Sequence, residues 1–332
     1  MIGRPFVPRY GVWRPGTWWI ALLALLVCGL ALAASSLAPR AASVPQEVAE
    51  AADAAEQTMG AAERIVREAK TAAGVEDDPG APRDPSGLVG AEWTPLVTTL
   101  GSAEAKRIAT DPAWARVLTV RLHQAGIRRG DVIAAGFSGS FPGLNLAVIA
   151  TAQAIGAELA AVSSVTASTW GANQPGFTWP EIEARLVRAG AVRRATIGVA
   201  LGGAGDRGED LEPEGRAEAE RILDAAATAL GVPAIRPRSF YDAVETRLAL
   251  YDRARAGRRI ALYVNVGGNE ASLGRSAVIL RFRSGFLPAV PFDFSRERGV
   301  VARMAERGVP VLSLLNIREL AGRWEIGYRV RP

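Results

Sequence analysis

Residues 130–165, GDVIAAGFSGSFPGLNLAVIATAQAIGAELAAVSSV, constrain the fold more than any other stretch. The apolar run 131–135 reads as a buried strand, and 136–145 carries turn chemistry. Apolar residues at helical spacing over 144–155 predict a helix, with Gly156 as its cap. A second apolar strand, 159–165, follows. Strand, small-residue loop, helix, strand is a βαβ unit with parallel strands. It sets the 136–145 loop at the carboxyl end of a strand, the edge where open α/β sheets carry their ligands. There the Ser138 and Ser140 hydroxyls, the bare backbone of Gly139, Asn145 and free N–H groups at a helix start suit an anion or an oxyanion.

The same pattern recurs downstream. Apolar strands are expected at 196–201, 259–266 and 309–315. Helices are expected at 103–110 behind an N-cap Ser102, and from Asp111-Pro112 to 125. Further helices fall at 181–189, at 212–230 ending on Gly231, at 241–256 behind Ser239, and at 295–307. The fold class that follows is α/β: an open, mostly parallel sheet with helices on both faces. Four strands end in loops of one character, FSGSFPGLN, SSVTASTWGAN, GGAGDRG and GGNEAS, which should converge on one cleft. Besides the first loop's residues, they bring Ser163, Ser164, Asn173, Gly203, Asp206, Arg207, Gly268 and Asn269 as candidate ligand-binding residues.

Ahead of this lies different material. Residues 18–34, WWIALLALLVCGLALAA, are uncharged, and flanking small residues lengthen the run to about 20, enough to span a bilayer. Arg4, Arg9 and Arg14 precede it and Trp13, Trp18 and Trp19 stand at its start, so the positive-inside rule keeps the N-terminus cytoplasmic and sends the rest outside. The run is longer than a usual signal core, which favours an uncleaved anchor over a signal peptide processed near residues 33–38. The expected organisation is a cytoplasmic tail at 1–16, a transmembrane anchor at 17–38 and a helical stalk at 39–73. A Pro, Gly and Asp linker follows at 74–92, then the α/β domain at 93–332. The stalk carries a thin apolar stripe of Val48, Ala52, Ala55, Met59, Ala62 and Val66.

Charge and rare residues exclude several chemistries. Of the formal +5, residues 1–40 supply +4, leaving about +1 over the rest and no basic footprint for nucleic acid. One histidine, His123, and one cysteine, Cys28, cannot build a Cys/His zinc site. No GxGxxG or GxxxxGK[ST] loop occurs in phase, so no nucleotide cofactor is expected. Ser138 sits one residue short of a GxSxG elbow, and His123, in a helix, is an unpromising base for it. Only two lysines, Lys70 and Lys106, stand among 37 arginines. A Ser/Lys pair therefore stays open, with Lys106 as base and Ser138, Ser140 or Ser102 as nucleophile, against a capping serine and a surface lysine. Asp206, Glu209 and Asp210 either hold a hard cation or cap the next helix, and Trp170 either walls the cleft or packs on the domain.

Six stretches together resemble the poly-gamma-glutamate system protein family, a membrane-anchored component found beside capsule-type poly-gamma-glutamate synthesis machinery. They are TPLVTTLGSAEAKR (94–107), GDVIAAGFSGSFPGLN (130–145), SSVTASTWGANQPGFTW (163–179), GGAGDRG (202–208), NVGGNEASLG (265–274) and LLNIRELA (314–321). The tail 322–332 is shorter than the family pattern leads one to expect. The resemblance implies an accessory role in making, exporting or processing a gamma-linked glutamate polymer, with that polymer or its synthesis machinery as partner. An amide hydrolase or transferase acting on the polymer is the alternative. A looser resemblance, VIAAGFSGSF with the following helix and AAVSSV, is to sugar isomerase domains, and implies a serine loop that binds a phosphosugar.

Overall fold

The structure is a computed structural model that describes residues 17–37, 44–81, 83–275, 283–287 and 298–327. The chain divides into two compact units, residues 1–45 and 46–332. In the first, helix α1 spans Thr17–Leu37 and covers the expected anchor, while the expected cytoplasmic tail lies outside the described residues. Trp18, Trp19, Ile20, Leu22, Leu23, Leu25, Leu26 and Val27 on α1 are exposed. Among the described residues no helix is long and apolar enough to cross a membrane.

The second unit begins with α2 (Gln46–Ala72) and continues through β1 (Val97–Thr99), α3 (Ala103–Ala109), α4 (Ala113–Gln124), β2 (Val132–Phe137), α5 (Pro142–Ile155), β3 (Glu158–Ser164) and β4 (Ala167–Ser168). Next come α6 (Trp179–Arg188), β5 (Thr196–Ala200), α7 (Pro213–Leu230), β6 (Ala234–Ile235), α8 (Phe240–Ala254) and β7 (Ile260–Val266). The chain ends on α9 (Glu270–Leu273), β8 (Gly285–Phe286), α10 (Val300–Glu306), β9 (Val311–Leu314) and α11 (Ile317–Arg323). The start of the expected 295–307 helix lies outside the described residues, and α10 begins at Val300.

Seven strands form one sheet in the order β6-β5-β3-β2-β7-β9-β8, parallel throughout except where β8 pairs antiparallel with β9 at the edge. All six residues of β2 are buried, as a strand covered on both faces requires. Their alternation divides them: Ile133, Ala135 and Phe137 join the core under α4 and α5, and Ala134 joins the one under α8 and α10. The chain leaves β2 towards β3, β5 and β6, then returns to lay β7 on its other side, so the sheet reverses direction between β2 and β7. A crevice opens outside the strand ends at such a point. A separate two-stranded parallel strap, β1 on β4, stands over that edge.

The stalk expectation is corrected. Helix α2 packs on α4 and α5, and its Ala55, Met59, Ala62 and Val66 belong to the main core. The stripe is mostly alanine, which lets helix backbones approach closely. Gly60 would meet Pro112 Cγ at 3.8 Å if it carried a Cβ. The expected linker is packed too, with Asp84, Ser86, Leu88 and Val89 buried. Asp84 folds it into a turn, accepting from Ser86 N at 2.9 Å and Val89 N at 2.8 Å. The buried Lys70 ammonium then ties it down, donating to Val89 O at 2.9 Å and Gln174 Oε1 at 2.8 Å. The α/β unit therefore starts at Gln46 rather than 93.

Candidate functional site

The loops after β2, β3, β5 and β7 meet at one cleft of about 440 Å³ on the carboxyl edge of the sheet. The strap closes its other side through Thr98, Thr99, Leu100, Gly101 and Ser168. Leu100 stands at the lip, 75% exposed. Hydroxyls dominate the lining, with Ser138, Ser140, Ser164 and Thr166 facing those of the strap.

Each loop takes its shape from local chemistry. After β5, Gly202, Gly203, Gly205 and Gly208 have φ between 61° and 82°, the left-handed region where a side chain is strained. That backbone turns its N–H groups inwards, where Asp210 Oδ1 accepts from Ala204 N at 2.9 Å and Glu270 accepts from Gly205 N. Asp206, itself at φ 62°, is fully buried under the loop and accepts a two-point bond from Arg247 at 2.7 and 2.9 Å. Burial opposes the Arg247 charge, and the Asp206 carboxylate more than offsets it, so the guanidinium lies above its ordinary value. Asn269 joins the loops by donating to Asp206 Oδ1 at 3.2 Å and Ser164 Oγ at 3.1 Å.

Lys106 is 3% exposed and reaches the cleft from α3. Its Nζ lies 2.7 Å from Ser168 Oγ, donates to Ser140 O, and sits 3.7 Å from the centre of the Phe141 ring. No carboxylate offsets its burial, which alone pushes its pKa down to about 7. Around it, Ser102 caps α3 by accepting from Ala105 N at 3.3 Å. Ser140 Oγ accepts from Ser168 N at 3.0 Å, and Ser138 Oγ accepts from Ser140 N at 3.1 Å. The hydroxyl that meets Lys106 is thus Ser168, not Ser102, Ser138 or Ser140. A lysine near neutrality in contact with a hydroxyl can exchange a proton with it, which is the first requirement of nucleophilic catalysis.

The remaining expected residues divide between the cleft and its frame. Ser164, Gly203, Gly268 and Asn269 line the cleft with Ser138, Ser140 and Lys106. Gly139 approaches protein backbone rather than a ligand, since a Cβ there would stand 2.7 Å from Thr166 O. Asn145 donates to Ser138 O at 2.9 Å and holds the loop from behind. Ser163 bonds Thr196 Oγ1 at 2.6 Å in the buried knot around Glu183, away from the cleft. Asn173 clamps the segment before β1, pairing with Ala91 N at 3.0 Å and Ala91 O at 2.7 Å. Arg207 points outwards to Arg238 O at 2.9 Å and Glu209 at 3.2 Å. Asp206, Glu209 and Asp210 go to separate partners, and among the described residues no cluster of three ligands is placed to hold a metal ion. Trp170 packs on Gly80, and His123 does not line the cleft.

Sequence reasoning missed Ser168, Thr166, Glu270 and the Thr98–Gly101 turn as lining residues. Their signal was weak, because a two-residue strand such as β4 carries no readable alternation. Compared with protein-family profiles, curated proteins and solved structures, the chain matches none of them.

Proposed function

We propose that the protein is an accessory component of a poly-gamma-glutamate system, tethered to the membrane by its N-terminal helix with the α/β unit outside, and that its cleft receives the polymer. One observation carries this reading. Of the six stretches that resemble the family, five meet at the cleft, although they are scattered from residue 94 to 274. Asp210 is the single lining residue outside them. The resemblance thus gathers where a ligand would sit, more than in the framework helices.

The chemistry is compatible. Each unit of a gamma-linked glutamate chain offers an amide N–H, a carbonyl and a free carboxylate. Hydroxyls serve all three, because each both donates and accepts. Bare backbone at Gly268, where an added Cβ would meet open space, permits close approach, whereas Gly202 packs against Thr166 and Ser164 and Gly203 against Asp210 and Thr98.

The test is binding of gamma-linked glutamate oligomers to the full chain in detergent, with alpha-linked oligomers as control. Expected is binding of the gamma-linked chains in preference to the alpha-linked ones. Gly268→Ala should weaken binding with the fold unchanged, because Gly268 lines the cleft and its added methyl meets no protein atom within 4 Å. No binding at either low or high ionic strength would remove polymer recognition.

A further inference from the structure

We propose that Ser168 is an acyl-accepting nucleophile and Lys106 its general base, so that the cleft cleaves or transfers an amide or ester of the acidic chain it receives. The identity of that chain rests on the reading above; the dyad does not. Three observations carry it. Ser168 Oγ and Lys106 Nζ are 2.7 Å apart at the wall of the cleft. The lysine has no carboxylate partner, and its other contacts are the Ser140 carbonyl and the Phe141 ring. Ser168 is also fixed in place: its N–H donates to Ser140 Oγ at 3.0 Å, and the next residue pairs with Thr99 O at 2.9 Å.

That environment brings the neutral amine within reach near pH 7. A buried ammonium with no counter-ion is costly, and burial alone pulls the Lys106 pKa to about 7. In the structure Nζ donates to both Ser140 O and Ser168 Oγ, and the Ser168 hydroxyl donates to Thr169 O at 3.4 Å. As a neutral amine Nζ keeps two hydrogens and gains a lone pair, and turning the Ser168 hydroxyl from Thr169 O onto that lone pair sets up the proton transfer.

The step balances without a cofactor. Ser168 Oγ bonds to the substrate carbonyl carbon as its proton passes to Lys106 Nζ. The carbon–nitrogen bond of the amide then breaks, and the leaving amine takes that proton from Lys106. An ester on Ser168 remains. Water or an incoming amine attacks it, gives its proton to Lys106, and releases the acyl group as Oγ recovers that proton. Water as acceptor gives hydrolysis, and an amine gives transfer.

The test is acetylation of the full chain by 4-nitrophenyl acetate, read by peptide mass mapping before and after hydroxylamine. The chain contains only two lysines, so stray acylation of Lys70 or Lys106 is easily separated: it is an amide that hydroxylamine leaves intact. The expected product is a hydroxylamine-labile acetyl on Ser168. Ser168→Ala abolishes it, and Lys106→Met slows it by about 10²–10⁴-fold, the usual contribution of a general base. In the wild-type protein the rate levels off above about pH 7 and falls towards tenfold per pH unit below it, following the neutral fraction of Lys106, whereas acylation without a base keeps rising with pH. This profile needs no variant and is not produced by a lysine that only supports the strap. No labile adduct on Ser168 in a protein that binds the glutamate oligomers overturns the dyad. An adduct without oligomer binding upholds the dyad and removes the polymer instead.

Discussion

Asp206 and Arg247 are 41 positions apart and both essentially unexposed, yet they share two hydrogen bonds beneath the cleft floor. Removing one partner leaves a charge buried without compensation, so Arg247→Met should cost about 3–5 kcal/mol. The double variant Asp206→Asn with Arg247→Met should recover much of that loss, because no uncompensated charge remains. Urea melts of the four proteins close the cycle. A loss in the double variant equal to the sum of the two single losses would mean that the pair is not coupled. This pair and Lys106–Ser168, 62 apart, show what residue-level reading misses. Asp206 and Lys106 stood out in the sequence, one by its glycine-rich loop and the other by its rarity. Their partners did not, since no period or motif links residues joined only by strand order.

Helix α2 shows a different limit at the scale of elements. Its apolar stripe was legible, and the buried residues Val48, Ala52, Ala55, Met59, Ala62 and Val66 are those the spacing selected. What the stripe could not show was its partner, because an alanine-rich face suits a solvated stalk and a close helix contact equally. Glu63 and Lys70 lie on the same helix, and both are buried. Burial, with smaller contributions from Asp84 and Asp111, raises the Glu63 pKa from 4.5 to about 9. Between those values the folded protein keeps a proton that the unfolded chain releases, so Glu63 costs stability progressively as pH rises through the window. Glu63→Gln removes the titration with little change of shape. Thermal melts should coincide with wild type near pH 4, and the variant should be about 1–3 kcal/mol more stable at pH 8. A difference independent of pH would show that Glu63 is not held protonated.

At the scale of the molecule, the parallel sheet and the side that carries its loops follow from strand–loop–helix order, which is why the cleft was legible before its walls were. The strap was not, because β1 and β4 have three and two residues. The antiparallel edge β8, two residues long, escaped for the same reason. The amino-terminal limit of the α/β unit is where sequence and structure part most clearly, and it gives a decisive experiment. A chain beginning at residue 91 loses α2, the Asp84 turn and the Lys70 bonds, and uncovers the faces of α4 and α5. A single buried Met→Ala change costs about 2–5 kcal/mol. Losing Ala55, Met59, Ala62 and Val66 together therefore rivals the whole stability of a domain, about 5–15 kcal/mol. Residues 46–332 should unfold in one cooperative step, and 91–332 should lack fixed near-ultraviolet dichroism from its buried tryptophans. If the shorter chain melts cooperatively instead, α2 is a detachable attachment rather than a wall of the core, and the cleft stands without it.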